Sequence, residues 1–343
     1  MVVLLVLLVF GVAGSLIWST MRAAVVPAVQ HVTQRNGTQS TSSGTPPSDT
    51  RPSMLYTKTE HTDKVNGIAW SPNGRYIASG SADQTVQVME ALTGKEVFTY
   101  RGHTSSVQSL AWSPDSTRIA SGSEDMTVQV WNATTGANVL TYTGHSGAVY
   151  GLAWSPDGMS IASAAWDNTV QVWNATTGAT LTTYKGHSDA VDAVAWSPDS
   201  RWIASAGADH TVQVWQASTG ERDVTYTGHS ATVDTLAWSP DGTRIASGGL
   251  DKTVQVWDAL TGNHVVTQND LGLVYMLAWS PDGKRIANGE ALQVWDVANA
   301  KVTLVTFGGE LGNVLSVCWS PDGKYISFGD AFGKVQVWQP KVV

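Results

Sequence analysis

Residues 101–142 read RGHTSSVQSLAWSPDSTRIASGSEDMTVQVWNATTGANVLTY, and most of the chain after residue 53 consists of variants of this stretch. A Trp-Ser-Pro tripeptide marks each copy and begins at Trp70, Trp112, Trp154, Trp196, Trp238, Trp279 and Trp319. The intervals between these positions are 42, 42, 42, 42, 41 and 40 residues. A second marker follows at a nearly constant offset, at Met89, Trp131, Trp173, Trp215, Trp257, Trp295 and Trp338. Two markers with matching periods indicate seven repeats of one structural unit.

Each repeat has the pattern of four short strands. In the copy quoted above, the predicted strands are Val107–Trp112, Arg118–Gly122, Thr127–Trp131 and Asn138–Tyr142. Turn-forming residues separate them, with Pro114 in the first turn, Asp125 in the second and Gly136 in the third. No repeat shows the 3.6-residue period of a long amphipathic helix. We therefore expect an all-β fold, a seven-bladed β-propeller built from four-stranded antiparallel blades.

The Gly-His pairs of the repeats carry a family resemblance. They stand at Gly102-His103, Gly144-His145, Gly186-His187 and Gly228-His229, and a Trp-Asn, Trp-Gln or Trp-Asp pair follows each of them. Together these offsets resemble WD repeats, and the near-identical copies are similar to those of bacterial WD-repeat proteins. The resemblance covers residues 54–343 and implies a closed ring in which the N-terminal strand completes the last blade. Met54–Thr57 occupies the place that Val97–Tyr100 holds before the next His, so we expect it to be that strand.

The start of the chain has a different character. From Val2 to Met21 no side chain is charged, and a helix of about 20 residues rises about 30 Å, the thickness of one hydrocarbon core. Trp18 suits the membrane interface, and Arg22 ends the apolar run. We therefore expect residues 1–22 to form one transmembrane helix that makes this a single-pass membrane protein. A cleaved signal peptide and a buried core helix are the alternatives, although a signal peptide usually begins with positively charged residues that are absent here.

Residues 23–53 are expected to form a flexible linker between this anchor and the repeats, which occupy residues 54–343. From residue 31 onward the linker is rich in Ser, Thr, Gly and Pro and has no apolar periodicity. Such a segment cannot bury enough surface to offset its chain entropy. Arg22 and Arg35 follow the apolar run and weakly favour a cytoplasmic propeller, but export of the propeller remains open.

Composition excludes several classes of function. A formal net charge of -8 and a pI near 5.4 argue against nucleic acid as a partner, because affinity for phosphates rests mainly on Lys and Arg. The chain has no glycine-rich phosphate loop, no zinc spacing of Cys and His, and no calcium-loop pattern of acids. We therefore expect neither a cofactor nor a metal ion.

Sets of His, Ser and Asp recur at equal spacing and superficially suggest a hydrolase. With the Trp of the third strand, they are His103, Ser121, Asp125, Trp131; His145, Ser163, Asp167, Trp173; His187, Ser205, Asp209, Trp215; and His229, Ser247, Asp251, Trp257. A fifth copy, His61, Ser79 and Asp83, is followed by Met89 in place of Trp. A catalytic site requires one nucleophile with one base, an oxyanion hole and a pocket, and it gains nothing from five copies. The family resemblance implies instead that each set is a structural hydrogen-bonded tetrad within its blade, so we expect a protein that is not an enzyme.

The last two repeats depart from this pattern. Asp270 and Glu310 occupy the His positions, Asn288 replaces the Ser of the sixth repeat, and Phe332 stands where the turn Asp of the seventh is expected. We expect these two blades to be held more by packing than by tetrads and to be the softer part of the ring. The same expectation applies to the first blade, because Met89 cannot donate a hydrogen bond as Trp does.

Function is expected at positions that differ between the repeats. Trp166 precedes Asp167, where other repeats carry Ala, Glu or Leu, and large aromatic residues also stand at Tyr150 and Tyr275. The resemblance implies that these positions, together with Asp192 and Asp234, face the top of the ring and its central channel. Aromatic anchors dominate many interfaces, and the two acids give one sector a negative charge. We therefore expect a monomeric propeller that binds a protein or peptide, with basic and apolar features, on its top face.

Three classes of function remain open at this stage. The first is a membrane-tethered interaction scaffold or sensor, which would signal through a partner because the chain has no kinase motif. The second is a propeller that binds a small ligand or carbohydrate, for which Trp166 would supply a stacking surface. The third is an enzyme that uses the central channel, and its only candidate acids are Asp192 and Asp234, with no matching base.

Overall fold

The computed structural model describes residues 52–269, 272–288, 292–305 and 313–340. The expected membrane segment 1–22 and nearly all of the expected linker 23–53 lie outside these residues, as do Asp270 and Glu310. Within the described ranges, no helix has the length and apolar character needed to cross a bilayer.

The described chain forms 28 strands in seven four-stranded sheets, which are the blades. Blade 1 contains β2 (Val65–Trp70), β3 (Tyr76–Ser81), β4 (Val86–Glu90) and β5 (Glu96–Tyr100). Blade 2 contains β6 (Val107–Trp112), β7 (Arg118–Ser123), β8 (Val128–Asn132) and β9 (Asn138–Tyr142). Blade 3 contains β10 (Val149–Trp154), β11 (Ser160–Ala165), β12 (Val170–Asn174) and β13 (Thr180–Tyr184). Blade 4 contains β14 (Val191–Trp196), β15 (Trp202–Gly207), β16 (Val212–Gln216) and β17 (Arg222–Tyr226).

The remaining blades follow the same order. Blade 5 contains β18 (Val233–Trp238), β19 (Arg244–Gly249), β20 (Val254–Asp258) and β21 (His264–Gln268). Blade 6 contains β22 (Leu277–Trp279), β23 (Arg285–Asn288), β24 (Gln293–Asp296) and β25 (Lys301–Val305). Blade 7 contains β26 (Val314–Trp319), β27 (Ile326–Asp330), β28 (Val335–Gln339) and, from the other end of the domain, β1 (Ser53–Lys58).

The ring closes through β1, as the sequence predicts. β1 pairs antiparallel with β28, so that Met54 lies opposite Trp338 and Lys58 opposite Val335. The first strands of neighbouring blades also contact each other all the way round, from β2 through β26 and back to β2. Closure gives blade 7 its fourth strand. It also covers the edge of β28, since an exposed sheet edge would invite aggregation.

The hydrophobic core lies between blades rather than within one of them. A single cluster joins Val128, Val130 and Tyr142 of blade 2 to Trp154 and Ile161 of blade 3, and the same pattern recurs at the next interfaces. Packing on both faces explains why the second and third strands of a blade, such as β7 and β8, are buried at nearly every position.

Two faces of the ring differ in the connections that they carry. The turns between second and third strands and the connections from one blade to the next lie on one side, here called the top face. The turns between first and second strands and between third and fourth strands lie on the other side, here called the bottom face. This division follows from the antiparallel order of the strands in every blade.

Candidate binding face of the propeller

Four blades contain a hydrogen-bonded set that joins His, Ser, Asp and Trp as the sequence suggests. In blade 2, His103 Nδ1 donates to Asp125 Oδ2 over 2.8 Å, and Ser121 Oγ donates to His103 Nε2 over 2.7 Å. Trp131 Nε1 donates to the same Ser121 Oγ over 3.2 Å. The sets of blades 3, 4 and 5 repeat these contacts within 0.1 Å, at His145, Ser163, Asp167, Trp173; His187, Ser205, Asp209, Trp215; and His229, Ser247, Asp251, Trp257. The Ser and Trp side chains are fully buried, so each set ties the top-face connections to the blade interior.

The protonation states follow from these contacts. A neutral imidazole fits the set when Nδ1 carries the hydrogen, because Nε2 then accepts from the serine hydroxyl. Burial lowers the pKa of His229, although the charge and hydrogen bond of Asp251 oppose that change. Burial alone would raise the pKa of Asp209, but donors from His187 and Thr211 outweigh it and lower this pKa to about 2. At neutral pH the aspartate of the set is therefore a carboxylate that accepts a hydrogen bond from the Nδ1–H of the histidine.

An aromatic and an amide extend each set, and the sequence analysis missed both. Tyr100 stacks on Trp131 with ring centroids 4.4 Å apart, and its hydroxyl donates to Gln129 Oε1 over 2.6 Å. Gln129 Nε2 in turn donates to the carbonyl of Gly102. A Cβ atom on Gly102 would lie 2.4 Å from both oxygens of this Tyr-Gln pair, so the glycine of the Gly-His pair is required by close packing. Tyr and Gln recur at constant offsets in the repeats, and this regularity is the sequence signal from which both roles could be predicted.

The other three blades are held by different contacts. In blade 1, His61 still contacts Asp83 and Ser79, and Met89 is fully buried at the Trp position. In blade 6, Trp295 Nε1 donates to Asn288 Oδ1 over 2.6 Å. In blade 7, Asp330 accepts from the main-chain N–H of both Phe332 and Lys334, and thereby stabilises the turn that lacks the usual Asp. The sequence analysis did not foresee this use of Asp330.

A β-bulge near the start of the first strand directs side chains toward the neighbouring blade. In blade 3, Val149 pairs with Ala165 and Gly151 pairs with Ala164, so Tyr150 is the extra residue. The same shift occurs in the first strands of blades 1, 2, 4, 5 and 7. A bulge bends the strand and re-aims the side chain of its extra residue. At this position Gln108, Tyr150 and Asp192 contact top-face turns between second and third strands. Asn66 instead donates to Ser106 and Val107 of the next blade.

Tyr150 and Trp166 form a parallel stack at this place on the top face. Their ring centroids are 4.3 Å apart and their planes differ by 3°. The Tyr150 hydroxyl donates to Glu124 Oε1 of blade 2 over 3.0 Å, and Trp166 Nε1 donates to Asp192 Oδ1 of blade 4 over 2.9 Å. The main-chain N–H of Trp166 donates to the carbonyl of Ala148, which fixes the turn beside the bulge. We name Glu124, Tyr150, Trp166 and Asp192 the aromatic arc; it spans three adjacent blades.

Comparison with known families gives the chain its classification. The family described as WD domain, G-beta repeat, also called WD40, matches residues 52–88, 94–132, 136–174, 178–216, 220–258 and 301–339, which together are more than half of the chain. The chain belongs to the WD40 repeat family. Each matched WD40 repeat begins with the outer strand of the preceding blade, which is why the first match contains β1. Residues 259–300, which no match covers, contain the short strands of blade 6.

A curated relative shares only a short part of the sequence. Ribosome biogenesis protein ERB1 of Scheffersomyces stipitis is 42% identical over 55 residues, which are 15% of this chain and 7% of that protein. The chain thus spans a small part of the length of this relative, and the similarity extends over little more than one WD40 repeat.

WD40 propellers generally mediate protein–protein interactions and are generally non-catalytic. The non-catalytic character of the family agrees with the burial of the repeated serines, since a hydroxyl enclosed in a blade cannot reach a substrate.

The structure brings together only some of the residues that the sequence singled out for binding. Trp166 contacts both Tyr150 and Asp192 within the aromatic arc. Asp234 occupies the equivalent bulge position of the next blade, and Tyr275 lies before β22, three blades beyond Tyr150. Asp192 and Asp234 are each 7% exposed, so each presents only a small part of its surface to solvent.

Additional top-face residues emerge only from the structure. Glu124 is partly exposed and accepts from both Tyr150 and Gln108 Nε2, the latter over 2.7 Å. Met126, one residue beyond the turn Asp of blade 2, is 49% exposed, and Phe332 is 62% exposed in the corresponding turn of blade 7. Exposed apolar side chains at turn tips are available for contact with a partner.

Proposed function

We propose that this WD40 protein is a non-catalytic interaction scaffold or sensor that binds a protein or peptide on the top face of its propeller. The observation that carries the proposal is the stack of Tyr150 on Trp166, held from both sides by Glu124 and Asp192. Side chains immobilised in this way lose little further entropy on binding. Tyr and Trp are also the residue types that most often dominate binding energy.

The chemistry of the aromatic arc favours a partner segment with apolar and basic side chains. Two carboxylates flank the stack, and Asp234 adds negative charge in the next blade. Met126 offers exposed apolar surface in the same turn as Glu124. A Lys or Arg near an aromatic face gains a cation–π contribution in addition to its attraction to the acids.

A membrane tether completes the proposed function. It is supported by residues 2–21, which contain no charged side chain and are followed by Arg22 and a linker rich in Ser, Thr, Gly and Pro. We propose that the protein is a single-pass membrane protein whose propeller captures its partner near the bilayer surface.

Affinity capture from the native cells tests the top face. The full chain, the double variant Tyr150→Ala with Trp166→Ala, and the control Val139→Ala serve as baits, with quantitative mass spectrometry of bound proteins. Val139 is 50% exposed in the outer strand β9 of blade 2 and does not belong to the aromatic arc. We expect the double variant to lose a defined set of partners that the control retains, with a loss of about 2 kcal/mol or more for the purified pair.

The result of the affinity capture is interpreted only for a double variant that folds. Because the stack also joins blades 2, 3 and 4, the double variant must first be shown to unfold cooperatively. An unchanged partner set in a folded double variant would remove the top-face proposal. A fluorescence response of Trp166 to a small sugar, without any captured protein, would favour a ligand-binding propeller instead.

A further inference from the structure

A side chain from the preceding blade covers the Trp-Ser-Pro tryptophan at most interfaces between blades. The covering residue is the first residue of the second strand or, in blade 7, the residue just before that strand. The seven residues at this position are Tyr76, Arg118, Ser160, Trp202, Arg244, Arg285 and Tyr325. Arg118 lies over the ring of Trp154, with Cζ 4.9 Å from the ring centroid. The corresponding distances are 5.7 Å for Arg244 over Trp279 and 5.3 Å for Arg285 over Trp319.

Aromatic residues cover the Trp at three further interfaces. Tyr76 stacks on Trp112 and Tyr325 stacks on Trp70, with centroid distances of 6.3 and 6.2 Å. Trp202 packs against the hydrophobic cluster that contains Trp238. Six of the seven interfaces thus place a large planar group against this tryptophan.

The interface between blades 3 and 4 has Ser160 at the covering position, opposite Trp196. A groove of about 600 Å³ opens there at the bottom face. Ser160, Asp157 and Leu181 line it from blade 3, and Trp196 and Ala217 line it from blade 4. Trp196 is 9% exposed, against 7% for Trp154 under Arg118, so its ring forms the inner wall of the groove and does not project into solvent.

This groove retains the groups that hold an arginine at other interfaces. Arg285 forms an ion pair with Asp282 at 3.3 Å, and Asp157 stands at the equivalent place in blade 3. Arg118 Nη1 donates to the carbonyl of Ala175 over 3.4 Å, and Ala217 is the equivalent residue of blade 4. A carboxylate, a carbonyl and an indole face are therefore present without the guanidinium that they hold elsewhere, although the Ala217 carbonyl here accepts from Thr182 Oγ1 over 3.1 Å.

A positive charge also lies on the groove wall. Arg201 is exposed there, beside Asp199, whose Oδ1 accepts from the main-chain N–H of Arg201. Asp199 offsets part of the charge of this arginine, and Asp157, whose main-chain N–H donates to Ser200 Oγ over 3.1 Å, lies close to the same turn.

We propose that the groove over Trp196 binds an arginine side chain of a partner protein, in the position that arginines of this chain occupy at three other interfaces. Arg is the residue that combines stacking on an aromatic face with several donors in one plane. The groove is separate from the aromatic arc and would give the propeller a second attachment point on its opposite face.

Fluorine NMR of the full chain in detergent micelles, labelled with 5-fluorotryptophan, tests this proposal with defined peptides. The probe is acetyl-Gly-Arg-Gly-amide, and the matched peptides carry citrulline or Tyr in place of Arg. The Trp196 resonance is assigned from the variant Trp196→Phe. We expect the Arg peptide to shift this resonance saturably and the citrulline peptide to bind roughly tenfold more weakly, because the cation contributes much of the attraction.

Two variants at the covering position make the test specific. Ser160→Arg should fill the groove from within, abolish the Trp196 response and leave the chain at least as stable to heat. Arg118→Ser should open a corresponding groove and produce a new response at Trp154. Equal binding of Arg and Tyr peptides, an unchanged response in Ser160→Arg, or no response of Trp196 would overturn the proposal.

The test also separates this groove from the aromatic arc. A response of Trp166 without one of Trp196 would assign the peptide to the top face and contradict the groove proposal. Conversely, the variant Tyr150→Ala with Trp166→Ala is expected to bind the Arg peptide at Trp196 as the wild type does, whatever becomes of the top-face proposal.

Discussion

At the scale of single residues, the repeated His, Ser and Asp side chains are stabilising groups whose hydrogen bonds are satisfied by one another. In blade 4, Asp209 Oδ2 accepts from His187 Nδ1 and the main-chain N–H of Ser188, while Oδ1 accepts from the N–H and hydroxyl of Thr211. Both oxygens of the carboxylate are therefore needed. An amide offers only one acceptor oxygen, so even an isosteric substitution leaves donors unsatisfied.

We predict that Asp209→Asn lowers the free energy of unfolding at pH 7 by about 1.5–3 kcal/mol, the range for hydrogen bonds to charged groups. The pKa of Asp209 is about 2 in the folded chain, below its usual value of 3.8. The wild type therefore loses this contribution as the pH falls from 3.8 toward 2, and the variant lacks that part of the acid dependence. Denaturant unfolding between pH 2 and 7 measures both effects.

Histidine adds an earlier phase of acid destabilisation. The pKa of His229 is lowered from 6.5 by burial, so the unfolded chain binds the proton more readily below pH 6.5 and stability falls there.

Asp223→Asn, at an exposed position of β17, is the matched control for Asp209→Asn and is expected to leave stability nearly unchanged. Equal effects of the two Asn substitutions would contradict the role assigned to the tetrad.

At the scale of strands and blades, regularity differs around the ring. The first strands of blades 1 to 5 and of blade 7 have six residues each, whereas β22 of blade 6 has three. Strands β23 and β24 have four residues each. Blade 7 has longer strands, the Asp330 turn and the pairing with β1, so the structure supports blade 7 more than its substitutions suggested.

We predict that amide hydrogen exchange is fastest in β22, β23 and β24 and slowest in the strands of blades 3 and 4. Short strands have fewer ladder hydrogen bonds and open at a lower free energy. Exchange followed by mass spectrometry of peptides resolves the blades, and blade 3 serves as the internal reference because its tetrad is complete. Uniform protection across all seven blades would show that the loss of tetrads does not soften the ring.

At the scale of the whole molecule, the WD40 ring has its own closure and its own core. β1 begins at Ser53, so the ring needs nothing before that residue to complete its last blade. The apolar run at residues 2–21 has no counterpart in the repeats, and the proposed function assigns it a separate role in attachment.

We predict that a variant lacking residues 2–50 keeps the thermal unfolding midpoint of the full chain but no longer sediments with membranes. The midpoint is retained because β1 is intact, and the membrane association is lost because the uncharged segment is gone. Differential scanning calorimetry and carbonate extraction measure the two properties. A truncated chain that still sediments, or a full chain released by carbonate, would contradict the tether.

Much of the fold could be read from the sequence because it repeats. The Trp-Ser-Pro period predicts seven blades, and the copy of the fourth strand before the first repeat predicts closure through Met54–Thr57, which the pairing with β28 confirms. The tetrad positions are also visible, since their members lie within one repeat and recur at constant offsets. Such local and periodic contacts depend mainly on strand spacing, which sequence patterns carry directly.

The tertiary structure alone decided several side-chain contacts, some within a blade and some between blades. Tyr150 touches Trp166 because of a bulge, and Asp330 stabilises a turn from a position two residues away from the expected one. Ser160 becomes informative only when Trp196 is seen opposite it, 36 positions further along the chain. These contacts depend on side-chain direction and on the packing of one sheet against the next, and neither has a period that the amino-acid sequence displays.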